Sequence, residues 1–106
     1  MCKIRTLSRE GETLITQSVC CGDIQIWHNN LILRLNAPAL RGFSDFLNDI
    51  LFDTDCVEFP GGEWKIIIHT PNPEISFAFN HREFLDFKYA IQQALYMSEV
   101  YDILTN

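Results

Sequence analysis

The sequence predicts an α+β fold: a curved antiparallel sheet with two helices on one face, in the order ββββα-βββα. Three observations lead there. Short segments of alternating apolar and polar residues are separated by regular turn signals. Two later stretches carry apolar residues at spacings of three and four. The segment "LRLNAPALRGFSDF" (33–46) is nearly restated, at an offset of 44 residues, as "FAFNHREFLDFKYA" (77–90).

The turns come first because they bound the strands. "REGE" (9–12) interrupts an early alternating run, and "CCGD" (20–23) carries a glycine. "HNN" (28–30) sets two asparagines between alternating runs, which suits a tight hairpin with positive φ. "PGG" (60–62) and "TPNPE" (70–74) punctuate the second half. Strands are therefore expected over 3–8, 12–19, 23–28, 31–35, 55–59, 63–69 and 75–79. Side chains alternate across a strand. Ile24 and Ile26, Leu31, Leu33 and Leu35, Trp64, Ile66 and Ile68, and Ile75, Phe77 and Phe79 thus each share a side.

A helix should follow the last strand of each group. Asn36 and Asn80 stand at N-cap positions, where the side-chain oxygen accepts a first-turn N–H. Pro38 sits in the first turn, where its missing N–H costs little. Leu40, Phe43, Leu47 and Ile50 form the apolar stripe of the first helix, and Phe84, Phe87, Ile91 and Leu95 that of the second. Gly42 interrupts the first helix at a cost of about 1 kcal/mol against alanine, and close packing is its expected compensation.

At the constant offset, Leu33 matches Phe77, Leu35 Phe79, Asn36 Asn80, Leu40 Phe84, Phe43 Phe87, Leu47 Ile91 and Leu51 Leu95. Two explanations stand side by side. Any strand–cap–helix junction has this pattern, or the halves arose by duplication and are related by a pseudo-twofold axis. The chain reads as one domain, 1–106, with similar halves at about 1–52 and 53–106.

The pattern of hydrophobic-x-hydrophobic-Asn before each helix (31–51 and 75–95) resembles the PUR repeat and the broader Whirly and transcription-coactivator-like fold. That resemblance implies a curved sheet preceding each helix, and single-stranded nucleic-acid binding through basic and aromatic sheet residues. "MCKIRTLS" at the start and "CGDIQIWHNNLILRL" in the middle also resemble an uncharacterised family of small bacterial proteins, a domain of unknown function.

Composition limits the functional classes. Hydrophobic residues make up 47% and aromatics 12%, enough for a core. No apolar run is long enough to span a bilayer and no signal peptide is evident, so a cytoplasmic protein without membrane partners is expected. Residues 1–52 hold five basic and five acidic groups, whereas 53–106 hold three and nine and so carry the whole net charge of −6. A generic phosphate binder should be basic, so charge disfavours nucleic acid. Cys2, Cys20, Cys21 and Cys56 are expected to be reduced thiols. A thiol- or metal-dependent protein built on Cys20 and Cys21, with His28, His69 or His81 as further ligands, is an alternative. It lacks the paired C-x-x-C spacing of a zinc site. Asp53 and Asp55 lack the glycine and distal glutamate of a calcium loop. No catalytic motif is present, and the sequence calls for no catalytic residue, metal or cofactor.

Two surfaces remain as candidates. If the strand residues above face the helices, the opposite side shows Gln25, Trp27, Ile32, Arg34, Lys65, Ile67, His69 and Ser76. Within it Gln25, Trp27, Arg34, Lys65, Ile67 and His69 form a candidate binding face. Trp27 offers a stacking surface, and Arg34 and Lys65 offer charges for an anion. The second helix carries a further stripe, Leu85, Tyr89, Tyr96, Val100 and Ile103, away from its core stripe. One core needs one stripe, so this one predicts a homodimer interface. The expected function is non-catalytic: a small dimeric protein that binds a protein or a small ligand.

Overall fold

The computed structural model describes residues 3–105. Alternation in the first third produces four strands: β1 (Ile4–Glu10), β2 (Thr13–Ser18), β3 (Ile24–His28) and β4 (Leu31–Leu35). They pair antiparallel in the order β1-β2-β3-β4. Then follow α1 (Ala37–Asn48), the one-turn α2 (Phe52–Asp55), β5 (Val57–Glu58), β6 (Trp64–His69), β7 (Ser76–Phe79) and α3 (His81–Thr105). The second sheet is antiparallel, in the order β5-β6-β7. The architecture is thus α+β with the expected ββββα-βββα order, and the seven strands found among the described residues divide into two sheets.

Both asparagine caps form. Asn36 Oδ1 accepts the Ala39 N–H at 2.9 Å, with Pro38 in the first turn. At α3 the cap is reciprocal: Asn80 Oδ1 accepts the Glu83 N–H at 2.8 Å, and Glu83 Oε1 accepts the Asn80 N–H at 2.9 Å. That is a capping box, and it satisfies two backbone donors that the first turn leaves unpaired.

The expected core residues meet between the sheets and the helices. Ile24, Ile26, Leu33, Leu35, Ile66, Ile68, Phe77 and Phe79 are all buried, as are Leu40, Phe43 and Leu47 of α1 and Phe84, Phe87 and Ile91 of α3. Phe87 sits at the junction, with ring centroids 5.8 Å from Phe43, 5.1 Å from Phe77 and 4.9 Å from Phe79. α3 also covers β1 and β2. Ser8 Oγ donates to Ala90 O at 2.7 Å, and the Arg5 guanidinium lies 4.2 Å above the Tyr101 ring while donating to Gln17 Oε1.

Several expectations need adjusting. Trp64 continues the parity of Ile66 and Ile68 but is 55% exposed at the end of its strand. Ile50 lies beyond the end of α1 and only partly joins the core, and Leu51 is exposed. Asp53 and Asp55 belong to α2, where Asp55 Oδ2 accepts the Leu51 N–H at 3.0 Å. Gly42 faces open space rather than a close neighbour. Cys20 is disulfide-bonded rather than reduced, whereas Cys21 and Cys56 are free; Cys2 lies outside the described residues. Near Cys20, the Val19 N–H donates to Lys3 O at 2.8 Å, extending the β1–β2 pairing toward the start of the chain.

Candidate functional site: the outer sheet face and the seam between the sheets

The outer side of the four-stranded sheet is built from the residues that alternate with its core. Strand register sets Thr16 opposite Gln25 and Ile32 opposite Trp27. The Trp27 Nε1–H donates to Thr16 Oγ1 at 2.9 Å, and Thr16 Oγ1 donates to Gln25 Oε1 at 2.7 Å. Gln25 Nε2 then donates to Ser18 Oγ at 3.0 Å and to Asp23 O at 3.2 Å. Buried polar groups need such partners, and this network supplies them. Gln25 is 8% exposed, with its amide fully engaged, so it braces the surface rather than meeting a ligand. Trp27 is half-buried and its N–H is occupied, which leaves only its ring for contact.

Arg34 differs from its neighbours. It is exposed and, among the described residues, has no hydrogen-bond or ion-pair partner. It borders a depression of about 300 Å³ that also includes Gln25, Trp27 and Ile32. Lys65, Ile67 and His69 are placed elsewhere, on β6 in the second sheet. Lys65 lies 3.5 Å from Glu63 and 5.7 Å above the Phe59 ring, and His69 Nδ1 is 3.1 Å from Ser76 Oγ. The predicted face is therefore shared between two sheets, with Gln25, Trp27 and Arg34 on one and Lys65, Ile67 and His69 on the other.

Between the sheets lies a seam that the sequence did not reveal. One cleft of about 470 Å³ has Ile32, Leu33 and Arg34 of β4 on one side and Pro71, Asn72 and Ile75 on the other. A second, of about 260 Å³, has Asn30 and Leu31 on one side and Ser76 to Phe79 and Glu83 on the other. The start of β4 thus neighbours the end of β7, and the two strands run antiparallel past each other without pairing. A clue was present: "LILRL" and "ISFAF" are the matched last strands of the two halves.

The histidines are dispersed. His28 closes the inner side of the seam, its ring edge-on to Phe77 at 5.5 Å and Phe79 at 5.1 Å, with Nδ1 3.0 Å from Thr13 Oγ1. Burial lowers its pKa below the ordinary 6.5, against the opposing pull of Glu83 and Glu12. His81 stacks on Phe52 at 4.7 Å. Among the described residues no three His, Cys, Asp or Glu side chains gather as a metal site would require.

The family model of DUF6686, a family of unknown function, matches residues 1–104. The chain belongs to DUF6686. No curated protein and no solved structure matches it. Two surfaces of this DUF6686 chain stand out. Besides the seam, these include the outward ridge of α3, where Leu85, Tyr89, Tyr96 and Ile103 are 47%, 48%, 62% and 77% exposed. Val100, assigned to the same stripe, is half-buried. Among the described residues no helix is long and apolar enough to cross a membrane.

Proposed function

We propose that this chain is a non-catalytic interaction protein that self-associates through the outward ridge of α3 and keeps the outer side of its sheets for a ligand. The ridge carries the proposal. Leu85, Tyr89, Gln92, Tyr96, Glu99 and Ile103 follow one another at alternating steps of four and three, and every one is exposed. This is the seam spacing of paired helices. It lies on the side of α3 away from Phe84, Phe87, Ile91 and Ala94, where a helix serving a single core should be polar.

A second copy is the occupant that the spacing supports best. α3 has 25 residues and so runs about 37 Å. That is long enough for two twofold-related ridges to meet along several turns. The two tyrosines suit a contact with an apolar body and a polar rim. Gln92 and Glu99 are the polar members of the ridge, and their bonds to α1, with Asn48 at 2.8 Å and Arg41 at 3.2 Å, draw their polar groups toward α1 and away from the apolar contacts.

Sedimentation equilibrium tests the reading. The expected mass is about twice the 12.3 kDa of one chain, reverting to one chain in the Leu85→Glu/Tyr96→Glu double variant. A single-chain mass for the unaltered protein at its highest soluble concentration overturns it.

A further inference from the structure

We propose that the seam between β4 and β7 takes an extended peptide segment of a partner protein, with an acidic side chain set against Arg34. This rests on the reading of the chain as a binding protein but not on its self-association.

The four free strand edges are unlike one another. Unpaired edges invite other strands, and proteins blunt them with charge, bulges, proline or brevity. The outer edge at β1 has an irregular register between Thr6 and Ser8 and carries Arg5, Arg9 and Glu10. The outer edge at β5 is only two residues long. The edges that face each other across the seam have no such protection. β4 and β7 keep regular register, contain no proline, and bear Arg34 as their single charge.

The backbone there is poised to pair. The Thr70 N–H donates to Ile75 O, so the bonded pairs of that hairpin continue at Ile68–Phe77 and Ile66–Phe79. Ser76 and Ala78 consequently direct their N–H and C=O groups into the seam. By the same alternation, the two-residue turn after His28 makes His28–Leu31 a bonded pair, which turns Ile32 and Arg34 toward the seam. Among the described residues no backbone hydrogen bond crosses from β4 to β7. A polypeptide strand is the ligand whose alternating donors and acceptors match both edges, as in strand addition.

The surroundings define its side chains. Inward-pointing residues would lie beside Leu33, Phe77 and Phe79, all buried, and so should be apolar. Outward-pointing ones would share the face of Arg34, whose unpaired guanidinium selects a carboxylate. The partner segment therefore alternates apolar residues with polar ones that include Asp or Glu.

The probe is a displayed library of random seven-residue peptides, selected on the intact protein, with the enriched peptide then synthesised. Amide hydrogen exchange is followed by NMR. In the free protein the amides of Ile32, Arg34, Ser76 and Ala78 should exchange fast while those of Leu33 and Phe77 are protected. Added peptide should slow all four. Arg34→Glu should weaken binding about tenfold or more, and N-methylation of alternate peptide amides should abolish it. The proposal is overturned by any of four results: no enriched peptide, binding that survives N-methylation, binding indifferent to Arg34→Glu, or the four amides already protected in the free protein. The last result would mean pairing within the chain or with a second copy. Leu85→Glu/Tyr96→Glu should leave peptide binding unchanged, so a monomeric chain that still binds peptide sinks the self-association reading alone.

Discussion

Truncating Phe87 is the most demanding test of the packing. Its side chain is fully buried on α3 and meets α1 through Phe43, β7 through Phe77 and Phe79, and the end of β3 through His28 at 6.1 Å. Phe→Ala in a core typically costs about 3–5 kcal/mol. The three phenylalanine contacts place this site toward the upper half of that range, so about 4 kcal/mol is expected. A domain of this size has about 5–15 kcal/mol in total. The loss is thus a large share, and Phe87→Leu, which keeps most of the apolar volume at a cost of about 1.5 kcal/mol or less, serves if the alanine variant does not fold. Urea titration followed by far-ultraviolet circular dichroism measures both. With a slope of about 1.5 kcal/mol per molar, 4 kcal/mol moves the midpoint by about 2.7 M. Phe46→Ala is the control: the same chemical change on α1, at a side chain 42% exposed, should cost about 1 kcal/mol or less. Equal losses at the two positions would refute the packing described here.

Three further outcomes follow from local geometry. Gly42→Ala should raise stability by about 0.5–1 kcal/mol, because the helix gains propensity and the added methyl meets nothing within 4 Å. Gly11→Ala should lower it by more than about 1 kcal/mol, because φ is +55° and a Cβ would stand 2.7 Å from Asp86 Oδ2; both are read from urea midpoints. For His28, burial keeps the folded imidazole neutral, so the unfolded chain binds the extra proton first as pH falls. Stability should therefore decline as pH drops below the ordinary 6.5 and level off beneath the folded pKa; an NMR midpoint for His28 at or above 6.5 would contradict this.

What the sequence made legible was whatever short-range chemistry decides. Period-two alternation located the strands, and Asn36 and Asn80 marked where extended chain becomes helix, because each cap is a bond to the residue three positions on. The parity of Ile24, Ile26, Leu33 and Leu35 gave the buried face directly. Where packing between distant segments decides, the reading was weaker. Parity set Trp64 beside Ile66, but cover runs out before that end of the strand. Gln25 has the alternation of a surface residue, yet Thr16, Ser18 and the Asp23 carbonyl draw its amide inward. Lys65 and Arg34 share a parity but not a sheet, and nothing local encodes where a seven-strand set divides.

That division bears on the internal repeat. β4 and β7 are matched at the offset of 44 residues, and they lie antiparallel across the seam, as strands related by a twofold axis would. The halves depart from such symmetry in two linked ways. The first has a strand, β1, with no counterpart in the second, and α3 is 25 residues long against 12 for α1. The extra length of α3 meets the extra strand's side of the sheet: Tyr101, beyond any position matched in α1, lies under Arg5 of β1. A helix that ended where α1 does would keep the Ala90 carbonyl that Ser8 holds but would lose Ala94 and Ser98, both buried, and the Tyr101 ring beneath Arg5. Lengthening α3 supplies those contacts and at the same time extends the outward ridge from Leu85, Tyr89 and Gln92 to Tyr96, Glu99 and Ile103, since every added turn that buries one face presents another to water. The apolar residues on that ridge are not required by the core they oppose, and so the same elongation that completes the cover of the first sheet also lengthens the surface through which a second copy is proposed to bind.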